Sequence, residues 1–292
     1  RVVVPADGLA EARLAPGVDP VPVETLAEAA EVLRSPRSRR PLVRPAPRVE
    51  LGGSGEFPAQ VNAGARTDDP GAVVPDLAEV RGQAVARRAL EVALAGGHPL
   101  LLVGPPGSGK TLLARTIPRL LPDLADGPAL AATQVASVAS DRPISALMRR
   151  PPVRTPHHTT SYAGMVGGGT RLSPGEITLA DQGVLVLDEL PEFGRDVLEA
   201  LRQPLEEGRI SVVRVGRAET FPARFTLVAA MNPCPCGQDG SAFRTCSCPP
   251  GVPERYRRRV SGPLRDRVAL WVAGGRVASA DLAAVAAREG TA

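Results

Sequence analysis

Residues 104–111, GPPGSGKT, are of the types that hold a row of phosphate groups. Glycines in such a loop let backbone N–H groups approach phosphate oxygens, and the positive end of a following helix favours the same anion. Lys110 can reach the β and γ phosphates, and Thr111 offers a hydroxyl to Mg²⁺. The pattern predicts an ATP site whose binding residues are Gly104, Pro105, Pro106, Gly107, Ser108, Gly109, Lys110 and Thr111.

Lys110 is also the single lysine of the chain, so the other 34 of its 35 basic residues are arginine. A compact ammonium fits between phosphate oxygens where a planar guanidinium does not. The placement of this one lysine inside the glycine-rich loop therefore favours phosphate binding over chance.

An apolar run at residues 184–187 ends in two carboxylates, Asp188 and Glu189. A phosphate-binding loop needs an acidic partner at the end of a neighbouring parallel strand, and this pair supplies it. We expect Asp188 to hold Mg²⁺, directly or through water, and Glu189 to act as the general base on the attacking water. An ordinary buried strand with a polar end would look similar, but the presence of the loop favours catalysis.

Further positions could complete a catalytic site. A strand predicted at 225–231 ends at Asn232, whose amide could hold the attacking water or sense the γ-phosphate. In the segment SGPLRDRV, Arg265 and Arg267 are candidates for an arginine that reaches the ATP of a neighbouring subunit. Asn232 could equally be an ordinary strand end, and Arg265 and Arg267 could be ordinary surface arginines.

A parallel sheet is needed to bring these side chains together. Residues 99–103 are typical of a buried strand, the glycine loop follows at once, and residues 111–121 have the pattern of a helix. Upstream, Gln83 precedes a helix whose apolar face could form a wall for adenine, although amphipathic packing explains that helix equally well. The predicted fold class is α/β, with a parallel sheet flanked by helices.

Composition limits the classes of protein to consider. A chain of 292 residues that is 43% hydrophobic can form a buried core, and its apolar runs fall far short of the ~20 residues of a membrane span. Without a secretory pattern at the N-terminus, we expect a cytoplasmic protein with no membrane partner. The formal net charge of +4 permits a nucleic-acid partner without requiring one.

Local composition also divides the chain into four regions. Residues 1–34 alternate strand and helix patterns, as at the end of an α/β domain, and residues 35–72 form a linker rich in Pro, Gly, Ser and Arg. An ATPase core follows at 73–272, and residues 273–292 are an Ala-rich helical tail. Because the sequence starts at Arg1 rather than Met, we expect a piece of a longer protein.

Four cysteines lie in two C-x-C pairs, Cys234 with Cys236 and Cys246 with Cys248. Together they could form one structural zinc site with four thiolate ligands and no open coordination position. The C-x-C spacing is less usual for zinc than C-x2-C, so free thiols or a redox pair are the alternatives. We favour zinc, which would brace the loop beyond Asn232.

Eight segments of the core carry a family resemblance: VRGQ, GGHPLLLVGPPGSGKTLLART, RTPHHTTSYAGMVGGG, PGEITLA, GVLVLDELPEF, LRQPLEEG, FPARFTLVAAMNPCPCG and SGPLRDRV. They are similar to the magnesium-chelatase-like AAA+ ATPases of the bacterial competence type, ComM and YifB. The similarity covers residues 73–272 almost continuously. Residues 1–34 resemble the last part of the Lon-protease-like (S5-like) α/β domain that precedes the ATPase in that family.

The resemblance implies an AAA+ P-loop fold, ATP and Mg²⁺ as cofactors, and self-assembly into a hexameric ring. It assigns Lys110 and Thr111 to the Walker A motif, Asp188 and Glu189 to Walker B, Asn232 to sensor 1 and Arg267 to the arginine finger. The helical lid that closes the nucleotide site in AAA+ proteins would be absent or truncated here. The activity of such a piece alone is left open.

A predicted hairpin resembles one that holds DNA in related helicases. Residues 210–215 and 220–225 alternate like paired strands around a turn at 216–219. The nearby Arg209, Arg214 and Arg217 could bind DNA phosphates without sequence preference, although a solvated face is the alternative.

Residues 154–175 resemble the helix-2 insert that marks this branch of AAA+ proteins, and this insert would face the pore of the ring. For its two histidines, His157 and His158, we expect a hydrogen-bonded turn rather than a metal-binding or catalytic role.

Three functions are compatible with these features. Because ComM members of the family are implicated in ATP-driven branch migration of DNA during natural transformation, the first is a subunit that hydrolyses ATP to remodel DNA. The second is a magnesium-chelatase-type or chaperone-like ATPase that acts on a protein partner, and the third is a nucleotide-binding module without turnover. The Lon-like segment and the cysteine pairs favour the first over the second. Asp188 and Glu189 argue against the third, whereas the missing lid argues for it.

Overall fold

The structure is a computed structural model, and it describes residues 2–34, 74–140, 144–168, 173–214, 217–241 and 244–275. The predicted linker at 35–72 and all but the first three residues of the predicted tail at 273–292 lie outside the described residues. Within those residues, no helix has both the length and the apolar character needed to cross a lipid bilayer.

The strands are β1 Val2–Pro5, β2 Pro20–Val23, β3 Leu100–Val103, β4 Val153–Arg154, β5 Gly167–Gly168, β6 Ser173–Pro174, β7 Val184–Leu187, β8 Arg209–Arg214, β9 Arg217–Pro222, β10 Thr226–Met231 and β11 Leu270–Ala273. The helices are α1 Leu9–Ala12, α2 Leu26–Arg34, α3 Ala84–Gly96, α4 Lys110–Leu120, α5 Asp126–Ala139, α6 Tyr162–Val166, α7 Glu176–Leu179, α8 Arg195–Ala200, α9 Arg202–Glu207, α10 Val252–Arg257 and α11 Gly262–Asp266. Single turns of 3-10 helix occur at Ala6–Gly8, Leu77–Glu79 and Leu190–Glu192.

The described residues fall into two compact units, of which the smaller combines residues 2–34 with residues 124–149. In this unit β1 and β2 pair in parallel, as expected for the end of an α/β domain. Helix α5 contributes Ala132 and Ala136 to a small apolar cluster with Ile144 and Met148. No pattern in residues 124–149 indicated that they belong to this unit, and the predicted domain boundaries stay a prediction.

The larger unit contains a sheet of five parallel strands in the order β11-β3-β10-β7-β4. Strands β3, β7 and β10 lie within one residue of the strands predicted at 99–103, 184–187 and 225–231. The edge strand β4 was not predicted, because two residues carry too little pattern, and β11 was not predicted either. The α/β fold class, a parallel sheet flanked by helices, is confirmed.

Alternate residues of each central strand enter two separate cores, one on each face of the sheet. Leu101, Leu185 and Leu227 pack on one face with apolar residues of α7, α8, α10 and α11. Leu100 and Val228 pack on the other face with residues of α3 and α4. Because both faces are buried, the strands are continuous apolar runs rather than alternating ones.

The β8–β9 hairpin packs its inner face on the first of these cores, through Ile210 and Val212. Its turn differs from the prediction at 216–219, because Glu219 is already paired with Val212 and β9 begins at Arg217. The register that buries Ile210 and Val212 fixes this pairing, since a slip of one residue would expose both.

Asp181 fastens the segment before β7 to the segment before β10. Its side chain is almost completely buried, at 1% exposure. Oδ1 accepts a hydrogen bond from the backbone N–H of Arg224 at 2.8 Å, and Oδ2 accepts one from Nε2 of Gln182 at 3.1 Å. The backbone N–H of Gln182 in turn donates to the carbonyl of Arg224 at 2.7 Å. Two neighbouring strands that end at the candidate site are thereby held in register where they begin.

We expect Asp181→Ala to destabilise the larger unit, since it leaves the N–H of Arg224 without its acceptor. An unpaired buried donor costs about 1–3 kcal/mol, and at about 2–4 °C per kcal/mol the melting temperature should fall by several degrees. Thermal unfolding followed by circular dichroism measures this fall. The control is Asp123→Ala, at an exposed loop residue. Equal melting temperatures for the two variants would show that the Asp181 hydrogen bonds contribute nothing.

Candidate nucleotide-binding site

Three adjacent strands, β3, β10 and β7, end at the same edge of the sheet, and a polar segment follows each end. These segments surround a cavity of about 410 Å³, which is lined by residues 106–112, by Asp188 and Glu189, and by Met231 and Asn232. A volume of this size lies within the range of ligand pockets in proteins. The structure therefore brings the predicted phosphate loop, the two carboxylates and Asn232 into one site.

The loop between β3 and α4 has a backbone suited to anion binding. Gly107 and Gly109 have φ angles of +77° and +87°, which residues with a Cβ adopt only with strain. Helix α4 begins at Lys110, directly after the loop. The first N–H groups of a helix have no acceptor within it, so those of α4 face the cavity edge as donors for an anion.

The ammonium of Lys110 is held inside the loop. Nζ donates to the carbonyls of Gly104 at 2.7 Å and Pro105 at 3.0 Å. It also lies 3.3 Å from Oδ1 of Asn232 and 3.4 Å from Oγ of Ser108. Lys110 thus links the end of β3 to the end of β10, and its protons are placed where phosphate oxygens would replace some of these acceptors.

The electrostatic environment of Lys110 has two opposing parts. Burial lowers the pKa of its ammonium below the usual value, while the negative charges of Asp188 and Glu189 raise it. The two carboxylates offset part of the cost of burying the charge.

Thr111 and Asp188 are already in contact across the cavity. The Thr111 hydroxyl donates to Oδ2 of Asp188 at 2.8 Å, and Oδ1 of Asp188 accepts from the backbone N–H of Glu189 at 2.9 Å. A hydroxyl and a carboxylate are oxygen ligands of the type that Mg²⁺ prefers. The donor set therefore fits a magnesium ion between α4 and the end of β7.

Glu189 has a backbone that few side chains adopt, with φ of +55° and ψ of +45°. A non-glycine residue in this left-handed region is uncommon and is often found at functional sites. Here it turns the chain directly after β7 and leaves the carboxylate half exposed at the cavity. The predicted base is thus placed by backbone geometry rather than by packing.

The structure adds one residue that our reading of the sequence missed, His158. Its Nδ1 lies 3.3 Å from Oε2 of Glu189. His157 has the expected role, because its Nδ1 contacts the hydroxyl of Thr159 at 2.8 Å and accepts the Thr159 backbone N–H at 3.3 Å. The two histidines therefore differ, and only the second one reaches the site. Pairing of β4 with β7 puts His158 beside Glu189, and a two-residue strand gave no signal of that pairing.

A buried ion pair holds the end of β4, and the chain continues from there to His158. The guanidinium of Arg154 donates to both oxygens of Glu176, from Nε at 2.7 Å and from Nη2 at 2.8 Å. The Arg154 side chain is only 3% exposed. Removing one partner of such a pair leaves an uncompensated buried charge, which typically costs about 3–5 kcal/mol.

Gln83, the residue before α3, contacts the phosphate loop, and the adenine wall on α3 stays a prediction. Nε2 of Gln83 donates to the carbonyl of Ser108 in the phosphate loop at 3.0 Å and to the carbonyl of Gly275 at 2.5 Å. This side chain joins the start of α3 to the phosphate loop and to the residues after β11.

Neither candidate arginine lines the cavity of its own chain. Arg265 stacks its guanidinium over the Trp271 ring, 5.4 Å from the ring centroid. Arg267 forms an ion pair with Glu206 and remains more than one third exposed. The reach of Arg267 into a neighbouring subunit stays a prediction.

The three predicted DNA-binding arginines lie on the β8–β9 hairpin. Arg209 begins β8, is paired with Glu207 at 3.0 Å and is largely exposed. Arg214 and Arg217 are opposite each other in the register, at the end of the hairpin away from Arg209. Their contact with DNA stays a prediction.

All four cysteines meet in one cluster. The Sγ atoms of Cys234, Cys236 and Cys246 are 3.4–3.8 Å apart, and all four sulfurs lie within 4.8 Å of one another. Four sulfurs at about 2.3 Å from a tetrahedral zinc ion would be about 3.8 Å apart. Both C-x-C pairs therefore have the geometry of a single four-thiolate metal site.

The thiol pKa values in the cluster diverge strongly. Hydrogen bonds from the backbone N–H groups of Gln238 and Ser247 lower the pKa of Cys236 to about 5. For Cys246, the backbone N–H of Cys248 lowers the pKa, but burial and the neighbouring thiols outweigh it and raise the pKa to about 12. One sulfur is thus a ready thiolate while its neighbour keeps its proton, which is the proton that a bound metal ion displaces.

Comparison with known proteins agrees on one family. The model of the family described as magnesium chelatase, subunit ChlI, matches residues 76–282. The chain is 43% identical over 276 residues to an uncharacterized protein of Mycobacterium tuberculosis strain H37Rv, which covers 93% of this chain and 50% of the relative. It is 50% identical to the uncharacterized protein YifB of Escherichia coli K12 over 195 residues, 67% of this chain and 38% of YifB.

The competence protein ComM of Haemophilus influenzae is also 50% identical, over 198 residues that cover 68% of this chain and 38% of ComM. A more distant similarity, 27% over 176 residues, is to the DNA replication licensing factor Mcm2 of Drosophila melanogaster, with 55% of this chain and 18% of that protein covered. The chain spans about half the length or less of these relatives.

We expect His158→Ala to slow ATP turnover by about tenfold while leaving ATP affinity unchanged. His158 contacts the Glu189 carboxylate, so its removal leaves the predicted base loosely oriented. General base catalysis typically contributes about 10²–10⁴-fold to the rate, and a loosely oriented base loses part of that contribution. The control is His157→Ala, which should behave like the unchanged protein. Steady-state ATP hydrolysis and calorimetric ATP binding measure the two effects. A loss of ATP affinity in His158→Ala would instead indicate a structural role.

Proposed function

The chain belongs to the magnesium chelatase subunit ChlI family, as the resemblance predicted, and from that premise we propose that it hydrolyses ATP to remodel DNA. The family supports an AAA+ ATPase as the general activity. DNA remodelling of the branch-migration or helicase type, in natural transformation or recombination, is the more specific part of the proposal.

The observation that carries the proposal is the convergence of five side chains at one sheet edge. Lys110 reaches Asn232, Thr111 reaches Asp188, and Glu189 extends into the same cavity. Each is of the type that its proposed role requires, and the phosphate loop supplies backbone donors beside them.

ATP fits this site with its phosphates along the loop, where Lys110 would contact the β and γ oxygens. Thr111 and Asp188 would hold Mg²⁺, which when bound neutralises charge on the phosphates. The Thr111–Asp188 hydrogen bond already aligns the two oxygen ligands, so little rearrangement is needed on binding.

Catalysis by the chain then depends on three side chains. Glu189 accepts a proton from the attacking water, and Asn232 orients that water with its amide. His158 holds the Glu189 carboxylate through Nδ1, so that the base does not rotate away from the γ-phosphate. These roles explain why Glu189 has a strained backbone, since it fixes the direction in which the carboxylate extends.

We assign to Arg267 of a neighbouring subunit the stabilisation of the negative charge that develops on the phosphates during hydrolysis. Support comes from its place outside the cavity of its own chain and from its partly exposed guanidinium, which Glu206 holds. Loss of such an arginine costs about 10³–10⁵ in rate in other nucleotidases. A closed ring, proposed as a hexamer, would provide every site with a neighbour.

The proposed DNA partner is supported by the relatives and by the hairpin. One relative is a competence protein, and the distant one is a DNA replication licensing factor. Arg209, Arg214 and Arg217 place positive charge along one hairpin, which suits sequence-independent phosphate contacts. The family is equally compatible with an ATPase that acts on a protein partner. Stimulation of ATP turnover by DNA distinguishes a DNA-remodelling ATPase from one that acts on a protein.

We also propose Zn²⁺ as the occupant of the four-cysteine cluster, with a structural role. The sulfur separations support it, and four protein ligands leave no coordination position for substrate. We place the protein in the cytoplasm, where free cysteines are kept reduced and available to a metal ion.

A mixing experiment tests whether Arg267 acts between subunits. Lys110→Ala should bind no ATP but can still donate Arg267, whereas Arg267→Ala should bind ATP but lack the donated guanidinium. In the intact protein each variant alone should be inactive, and mixing the two should restore part of the ATP turnover. Mixing that restores no turnover would show that Arg267 acts only on its own chain or not at all.

The matched control is Arg265→Ala, two residues before Arg267, which removes a guanidinium that stacks on Trp271. We expect this variant to keep most of its turnover. An equal loss in Arg265→Ala and Arg267→Ala would indicate general damage to α11 rather than a catalytic arginine.

Replacing Arg214 and Arg217 together by Gln should weaken duplex DNA binding and reduce its dependence on salt. Each phosphate contact contributes about 0.9 to the slope of log K against log salt, so the slope should fall by about 2. Fluorescence anisotropy at several salt concentrations measures it. The control replaces the exposed Arg88 and Arg119 by Gln, with the same change in net charge. Identical slopes in both double variants would exclude the hairpin as the DNA contact.

A further inference from the structure

The segment that carries the four cysteines, residues 233–248, follows directly on Asn232 and returns to the phosphate loop. We call it the cysteine loop. Within its described residues, which exclude 242–243, it has no helix or strand. Its shape therefore depends on the cysteine cluster and on a few hydrogen bonds rather than on a regular element.

The first link between this loop and the nucleotide site is a direct contact at Gly237. A Cβ at this position would overlap Cδ of Pro106 and lie 2.7 Å from its Cγ. Pro106 is part of the phosphate loop and lines the cavity. Gly237 also has φ of +76°, and its backbone N–H donates to the carbonyl of Cys234 at 2.9 Å. The turn between Cys234 and Gly237 thus packs on the phosphate loop with no space for a side chain.

The second link passes through the backbone to Asn232, two residues before Cys234. Its Oδ1 lies 3.3 Å from Nζ of Lys110. Cys234 is completely buried, and its Sγ accepts the backbone N–H of Asp239 at 3.3 Å. A displacement of Cys234 would therefore move the residue that contacts the phosphate-binding lysine.

The far side of the loop is fixed to helix α10. Nη1 of Arg257 donates to the carbonyl of Pro233 at 3.3 Å and to Oδ2 of Asp239 at 2.5 Å. The loop is thus held between α10 and the phosphate loop, and the cysteine cluster is its internal connection. With the sulfurs drawn together by one ion, movement of the loop at Gly237 is restricted.

We propose that a Zn²⁺ ion at Cys234, Cys236, Cys246 and Cys248 sets the geometry of the phosphate loop through the Gly237–Pro106 contact, so that metal and ATP bind cooperatively. The inference rests on the proposed ATP site and on the proposed zinc site, and it adds the coupling between them. Because coupling between two binding sites is reciprocal, bound ATP should slow the loss of zinc by stabilising the same arrangement.

The first experiment removes the metal from the full chain. Zinc content is measured by elemental analysis, and Mg-ATP affinity by calorimetry, before and after treatment with a chelator selective for zinc over magnesium. We expect about one zinc per chain at the start, and a Kd for Mg-ATP that rises by about 5- to 150-fold on its removal, the usual range for coupled sites. Adding Zn²⁺ back should restore the original Kd.

A second experiment breaks the coupling without touching a metal ligand. Gly237→Ala should keep its zinc but weaken Mg-ATP binding, since the added methyl group displaces Pro106. Gly240→Ala is the matched control, because Gly240 has a similar φ of +72° in the same loop but nothing within 4 Å of an added Cβ. It should bind both zinc and Mg-ATP as the unchanged chain does.

The outcomes separate the proposals from one another. An unchanged chain that binds zinc but no Mg-ATP overturns the proposed function and the coupling together, whereas one that binds Mg-ATP but no zinc overturns the zinc site and the coupling alone. If both ligands bind, an ATP affinity that does not respond to zinc removal overturns the coupling. Equal ATP affinities in Gly237→Ala and Gly240→Ala overturn the route through Pro106.

Discussion

Burial of both faces of the parallel sheet is the constraint on which the site depends. Leu100 and Leu101 enter opposite cores, and so do Val186 and Leu187, which leaves no face of the central strands for polar chemistry. Polar groups are therefore confined to the strand ends. Because the strands are parallel, their carboxyl ends coincide, and the phosphate loop, the acidic pair and Asn232 follow three adjacent ends.

The polar groups of the candidate site satisfy one another. Lys110 is held by loop carbonyls and by Asn232, and Thr111 is held by Asp188. Ligand binding then exchanges one set of acceptors for another rather than ordering free side chains, which keeps the entropic cost low. The His158–Glu189 contact belongs to the same arrangement, because it holds the Glu189 carboxylate in a defined orientation.

The parts of the site that the sequence predicts are those encoded within a short segment. The phosphate loop and the carboxylates after β7 depend on local residue types and on a strand directly before them, and both were assigned from the sequence. His158 was not, because its role arises from pairing between β4 and β7, and β4 has only two residues. The contact between Gly237 and Pro106 joins segments about 130 residues apart, and only the folded chain reveals it. The hairpin turn was misplaced because Arg217 and Glu219 are polar residues that a turn and an exposed strand accept equally.

The position of Lys110 gives the molecule an unusual response to amine chemistry. As the single lysine of the sequence, it carries the only side-chain primary amine, and that amine is partly buried between loop carbonyls. A reagent that acylates amines therefore has one side-chain target, at the centre of the phosphate loop, and a protease specific for lysine has one peptide bond to cut. Within these 292 residues, labelling of a lysine side chain therefore reports on the candidate nucleotide site.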